Sequence, residues 1–274
     1  MGLNTLASRK KTGRRHPLAS AALLLIGLVA AGGASAAVGT IANAGPAAGS
    51  AQSQQLTVQD GAELFRANCA SCHGMNAEGT ENGTSLIGVG AASVNFQVMT
   101  GRMPMAFQGP QALQRDPQFT QEQSDAMGDW IATLAPGPER PADEWLDTSQ
   151  VTDEEIASGA ELFRINCAMC HNVAGAGGAL TEGKFAPHLQ NIEAAHIYEA
   201  MLTGPQNMPV FNDNNIAPEQ KREIIAYLHY LDENPSVGGF DLGSLGPVSE
   251  GLFIWIFGLG GIVGITVWLT SRPN

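Results

Sequence analysis

The amino-acid sequence predicts an all-α protein of two tandem helical domains, with a signal or anchor helix before them and a transmembrane helix after them. Three observations carry that expectation. The middle of the chain repeats itself at an offset of 98 residues, each copy opens and closes in helical apolar spacing, and an uncharged apolar run stands near the C-terminus. At 274 residues and 44% hydrophobic content the chain suits two small folded domains rather than disorder. With 10 Phe and 3 Tyr in all, each domain has a modest core unless a large apolar group helps to fill it.

The N-terminal element comes first. Basic residues Arg9 to Arg15 precede an apolar run from Leu18 to Ala31 and then small residues, with Ala34-Ser35-Ala36 offering a cleavage site. The low-charge stretch continues through Val38 and Ile41, so residues 1–42 read as a signal peptide or an N-terminal membrane anchor. Either one would export the two helical domains. Residues 43–55, rich in Ala, Gly, Ser and Gln, read as a linker.

The repeat defines the two domains, over 56–135 and 151–233, joined by a linker over 136–150. Residues 61–73, from Gly61 through Phe65 to Cys69, Cys72 and His73, align with 159–171, from Gly159 through Phe163 to Cys167, Cys170 and His171. The two segments differ only at Ala67/Ile165 and Ser71/Met169. Asp125 to Leu134 and Arg222 to Leu231 then share helical apolar spacing, so each domain begins and ends with a helix. Pro136, Gly137, Pro138 and Pro141 forbid a continuous helix through the boundary. Long polar and Gly-rich stretches, Met75 to Gly90 and Asn172 to Lys184, point to domains held together by a cofactor.

A Gly-rich linker over 234–250 leads to the last element, 251–270. Leu252 to Leu269 carries no charge and is long enough to span a bilayer. Trp255 and Trp268 stand near its ends, Arg272 comes after it, and Gly258, Gly260, Gly261 and Gly264 give it small residues suited to close packing against another membrane helix.

Charge narrows the class of partner. Every one of the 26 acidic residues lies between Asp60 and Glu250, a window with eight Lys/Arg and hence a formal charge near −18. Such a surface repels nucleic acid, which is not an expected partner, and steers toward basic surfaces.

Chemistry enters at Cys-x-x-Cys-His. Two thiols one helical turn apart reach the two vinyl groups of a haem, and the adjoining His supplies an imidazole to the iron. A disulfide, a zinc site and a thioredoxin-like pair share the Cys spacing but do not need the His. All four cysteines fall in two such pentads, so the expected cofactors are two covalently bound haem c, one on Cys69, Cys72 and His73, the other on Cys167, Cys170 and His171.

Each iron also takes a second axial ligand. Thr100-Gly101-Arg102-Met103-Pro104 and Thr203-Gly204 through Met208-Pro209 each place Met-Pro after Thr-Gly, on stretches that Pro makes non-helical, which selects Met103 and Met208. Met105 is the alternative in the first domain. Met99, Met127 and Met201 read as packing residues, and His188, His196 and His229 as exposed or hydrogen-bonded histidines. The Pro187 carbonyl is the expected acceptor for the second axial imidazole; the matching stretch from Thr84 to Gly88 has no proline, which leaves that contact unassigned in the first domain.

With these residues in view, the chain resembles class I cytochrome c twice in tandem. Over almost its whole length, including Ser85 to Gly90, Thr100 to Pro104, Met201 to Pro209 and the C-terminal apolar run, it resembles the dihaem cytochrome c subunit of actinobacterial cytochrome bc complexes. That resemblance implies a membrane-bound electron-transfer subunit of a menaquinol–cytochrome c reductase, a translocase, with no independent substrate turnover. It implies cytochrome b and Rieske iron–sulfur subunits as partners, an aa-type oxidase as acceptor in a supercomplex, and haem domains on the extracytoplasmic side of the cell membrane. By the same analogy the haem on His73 accepts from the Rieske centre. The rival readings are a cytochrome subunit serving another oxidase or a dehydrogenase, and a dihaem peroxidase, which needs one iron with an open or releasable sixth site.

Overall fold

Two glycines at equivalent places in the repeat set the architecture. A Cβ on Gly61 would lie 1.9 Å from the Ala126 carbonyl oxygen, and one on Gly159 would lie 2.1 Å from that of Glu223. In each domain the first helix therefore crosses the last with its backbone in contact, a packing that only glycine permits. The crossing helices are α1 (Val58–Asn68) and α4 (Gln121–Leu134) in the first domain, and α5 (Asp153–Asn166) and α8 (Pro218–Glu233) in the second. Beside each crossing an aromatic pair packs, Phe65 with Trp130 at 4.7 Å between ring centroids and Phe163 with Tyr227 at 5.6 Å.

The computed structural model describes residues 56–234, 242 and 247–271. The expected signal or anchor helix, the linker over 43–55, most of the linker over 234–250, and Arg272 lie outside the described residues.

Local signals explain the helix starts. Thr57 with Asp60, Thr120 with Gln123 and Thr152 with Glu155 form capping boxes, each satisfying two otherwise unpaired N–H groups. After α1 and α5 the chain makes a short turn of helix, α2 (Ala70–His73) and α6 (Ala168–His171), which carries the second Cys and the His of each pentad. Helices α3 (Gly90–Met99) and α7 (Ala194–Thr203) pack on α4 and α8 respectively, and also on each other, joining the domains. A two-residue ladder, β1 (Gly178–Ala179) antiparallel to β2 (Phe185–Ala186), is the sheet among the described residues.

The stretch between the domains is not a loose spacer. Pro138 accepts a hydrogen bond from Ala92 N–H at 3.1 Å, Arg140 pairs with Asp125 and Asp129, and Trp145 and Leu146 pack on the second core. Proline and glycine exclude a helix there, as expected, but burial of those apolar side chains fixes the path.

The C-terminal element runs from α9 (Pro247–Phe253) through a π-helical turn (Ile254–Leu259) into α10 (Gly260–Thr270). Val248–Thr270 contains an 18-residue stretch of mean hydropathy 2.2 and its apolar side chains are exposed, so the helix is long and apolar enough to cross a membrane.

Candidate haem sites

In the second domain the pentad lines one wall of an open cleft with about 1350 Å³ of space free of protein atoms, its mouth included. Cys167, Cys170 and His171 stand on one side; Met201, Met208 and Phe211 come from the segment that begins at the end of α7; and Phe163, Ile224 and Leu228 form the floor. A large flat apolar group bonded through two thiols fits this lining. The predicted Cys, His and Met of this domain are thus brought to one cavity.

The segment that presents Met208 is held at both ends. Gly204 closes α7 in the left-handed conformation, Phe211 N–H bonds the Met201 carbonyl at 2.8 Å, and Lys184 reaches Asn207 at 3.2 Å. Beyond it Lys221, fully buried, donates to Asp213 and to the Ile216 carbonyl, each at 2.7 Å. A buried ammonium must be paired in this way, and the pairing anchors the chain between the Met and the last helix.

The first domain reproduces the pentad's backbone closely. The His73 N–H bonds the Cys69 carbonyl at 3.0 Å and Gly79 N–H bonds the His73 carbonyl at 2.7 Å; in the second domain the matching bonds, His171 to Cys167 and Gly177 to His171, are 2.9 and 2.8 Å. Met103 lies, partly buried, on the non-helical segment after α3, its N–H bonded to the Gln97 carbonyl at 2.9 Å. Met105, the alternative, is more exposed and borders a small neighbouring recess with Arg102 and Phe107.

Each imidazole is oriented through its far nitrogen. His171 Nδ1 lies 2.9 Å from the Pro187 carbonyl oxygen, the contact expected from sequence, and His73 Nδ1 lies 2.7 Å from the Thr84 carbonyl oxygen, which sequence left unassigned. With the proton on Nδ1 the Nε2 lone pair is free for a metal. Burial holds His171 below the usual imidazole pKa, against the opposing Pro187 hydrogen bond, so the ring is neutral, as a ligand must be. Burial, assisted by the neighbouring Cys72 and Cys170, pushes the thiols of Cys69 and Cys167 up to about 11. That is opposite to the depressed pKa of a thioredoxin-like pair.

Other functional residues were not visible beforehand. The segment between α3 and α4 of the first domain forms part of the second domain's cleft, contributing Arg102, Gln111 and Gln114. Gln111 makes a two-way bond with the Phe185 backbone, donating to its oxygen at 2.8 Å and accepting from its N–H at 2.9 Å. Ala112 N–H bonds the Gln206 side chain at 3.3 Å. His188 and His196 also line the cleft, whereas His229 bonds the Ile192 carbonyl at 3.2 Å. Farther along the inter-domain contact Glu199 on α7, 1% exposed, accepts from Asn95 on α3 at 2.8 and 3.0 Å. Burial pushes its carboxyl up to about 8, although the Asn95 bonds act the other way.

Comparisons with known proteins agree with this arrangement. A family model described as cytochrome c oxidase, cbb3-type, subunit III, matches twice, at residues 56–131 and 154–228. A protein of Corynebacterium efficiens named cytochrome bc1 complex cytochrome c subunit is 41% identical over 94% of this chain and 90% of its own length. One of the same name from Mycobacterium tuberculosis is 40% identical over 98% of both chains. A cbb3-type cytochrome c oxidase subunit FixP of Sinorhizobium medicae matches 44% of this chain and 40% of its own length at 27% identity. Tandem cytochrome c domains imply covalently bound haem c, which the apolar cleft and its paired cysteines suit. The repeat, the two pentads, the apolar C-terminal helix and identity over nearly the full length converge, and the chain belongs to the family of cytochrome bc1 complex cytochrome c subunits.

Proposed function

We propose that the chain is the dihaem electron carrier of a respiratory menaquinol–cytochrome c reductase, taking electrons from a Rieske iron–sulfur subunit beside cytochrome b and passing them to an aa-type terminal oxidase. The observation that carries the reading is the pair of like-built pentads in one anchored chain, in a family named for the bc1 complex. Each haem supplies an iron that accepts and releases one electron. Cys69 and Cys72 would hold the first and Cys167 and Cys170 the second, with His73 and Met103, and His171 and Met208, as the residues that would bind each iron. The Thr84 and Pro187 carbonyls keep each imidazole aligned, and the apolar lining of the second cleft would favour the reduced state of a haem bound there.

The haem domains, 56–135 and 151–233, stand on the extracytoplasmic side of the cell membrane in this reading, which the expected export segment over 1–42 supports. The helix over 251–270 holds them near fixed neighbours at high effective concentration. With each iron held by a His and a Met, neither haem would offer a substrate site, and the chain would take part in the translocase reaction as a relay.

Affinity purification of the C-terminally tagged chain from native membranes in mild detergent tests the proposal. Two haem c per chain, haem b, a Rieske protein and an aa-type oxidase in one eluate are expected. A lone c-type spectrum, or a dehydrogenase as the companion, would overturn the assignment to the reductase.

A further inference from the structure

Arg102 belongs to the first domain but lines the cleft of the second. It is 8% exposed, and its guanidinium lies over the Phe96 ring at 4.8 Å. Among the described residues no carboxylate lies within ion-pairing distance of it, although the chain has 26 acidic side chains. A cation taken out of water costs several kcal/mol unless an anion meets it. His196, which lines the same cleft and feels the charge of Arg102, brings no negative charge.

The segment bearing Arg102 is fixed to the cleft by bonds that do not involve its own side chain. Gly101, at φ +64°, brings the backbone so close that a Cβ would lie 2.1 Å from the Arg115 carbonyl oxygen, and Arg115 N–H bonds the Thr100 carbonyl at 3.2 Å. Gln111 grips the Phe185 backbone, and Ala112 holds Gln206 on the segment leading to Met208. The guanidinium is thereby presented to a cavity whose other walls are mostly apolar.

We propose that Arg102 is a binding residue for the second domain's haem: its guanidinium receives the propionate carboxylates, so that the haem site of one domain is completed by the other. This rests on the reading of that cleft as a haem site. A haem is apolar except for its two carboxylates, and the planar fork of Arg matches a carboxylate with two parallel hydrogen bonds, as Lys does not. The positive charge also stabilises the reduced over the oxidised iron. Because Met103 is the next residue in the chain, adjacent residues of one segment serve the two haems, and the domains are coupled through their cofactors as well as through α3 and α7.

The test is a spectroelectrochemical titration of the haem-loaded full-length chain. The second haem is marked by Cys170→Ala, which leaves it on one thioether with a displaced α-band. In that background Arg102→Gln is expected to favour the oxidised form of the marked haem by about tenfold, equivalent to about 59 mV for one electron. Arg102→Lys, which keeps the charge, restores most of the parent midpoint, and the unmarked haem moves less. Covalent haem per chain, measured on the same samples, verifies that both variants are loaded and folded. A marked haem whose midpoint is unchanged, or a shift confined to the unmarked haem, overturns the role of Arg102 and leaves the two-haem reading intact. A parent protein with no marked band overturns that reading and this proposal together.

Discussion

The two domains share a pentad and differ in what surrounds it. In the second, His171 is buried, its Pro187 acceptor was legible in sequence, and the cleft gains a wall from the other domain. In the first, His73 is only partly buried and its acceptor is the Thr84 carbonyl, on a segment without proline. The same covalent motif thus sits in two settings. Burial and nearby charge tune a haem once its axial ligands are fixed, so the two pentads would hold their haems in unlike surroundings.

The comparison breaks most plainly at the cysteines. Cys167→Ala combined with Cys170→Ala should remove the second haem and leave about half the covalent haem per chain, since thioether attachment is local to each pentad. The reciprocal pair at Cys69 and Cys72 should do likewise, and a pyridine haemochrome assay against protein concentration reads both. Loss of all haem from either variant would show that the domains mature as one unit.

The shared frame is tested at the helix crossings. Gly61→Ala and Gly159→Ala each drive a methyl into a backbone carbonyl, at 1.9 and 2.1 Å. Both should therefore destabilise their own domain by about 3 kcal/mol. Denaturant titration followed through each haem's absorbance measures this, and unequal losses would mark the domain in which cofactor contacts, rather than the crossing, dominate.

The contact between domains supplies a pH dependence. Glu199 is raised from 4.5 to about 8 in the folded chain, first by burial. Between those values the folded state holds the proton that the unfolded state has released, so stability falls as pH rises through that window and levels off above it, by a few kcal/mol in all. Glu199→Gln should flatten the profile of apparent melting temperature against pH. The groups acting on Glu199 are Asn95, Arg140 and Asp125, and an unchanged profile in the variant would move the titration elsewhere.

The smallest effect is expected at Gln111. Gln111→Ala removes two bonds to the Phe185 backbone near the surface and should cost about 1 kcal/mol. Hydrogen exchange at the Phe185 amide should rise, while that of the corresponding segment of the first domain, Thr84 to Gly88, should not change.

Sequence by itself determined the repeat, the helices that open and close each domain, the two pentads and the apolar helix, because these depend on periodicity and on residues adjacent in the chain. The place of Met208 on a non-helical segment was legible for the same reason: a Pro beside it forbids helix, and the repeat marks the spot. Only the tertiary structure decided that the Thr84 carbonyl orients His73, since any residue can offer a backbone oxygen and no side-chain pattern announces it. It likewise decided that Arg102, Gln111 and Glu199 belong to the contact between domains. Their partners lie about 70 to 100 residues away, and a polar side chain in a loop or on a helix reads as solvated until the fold removes the water around it.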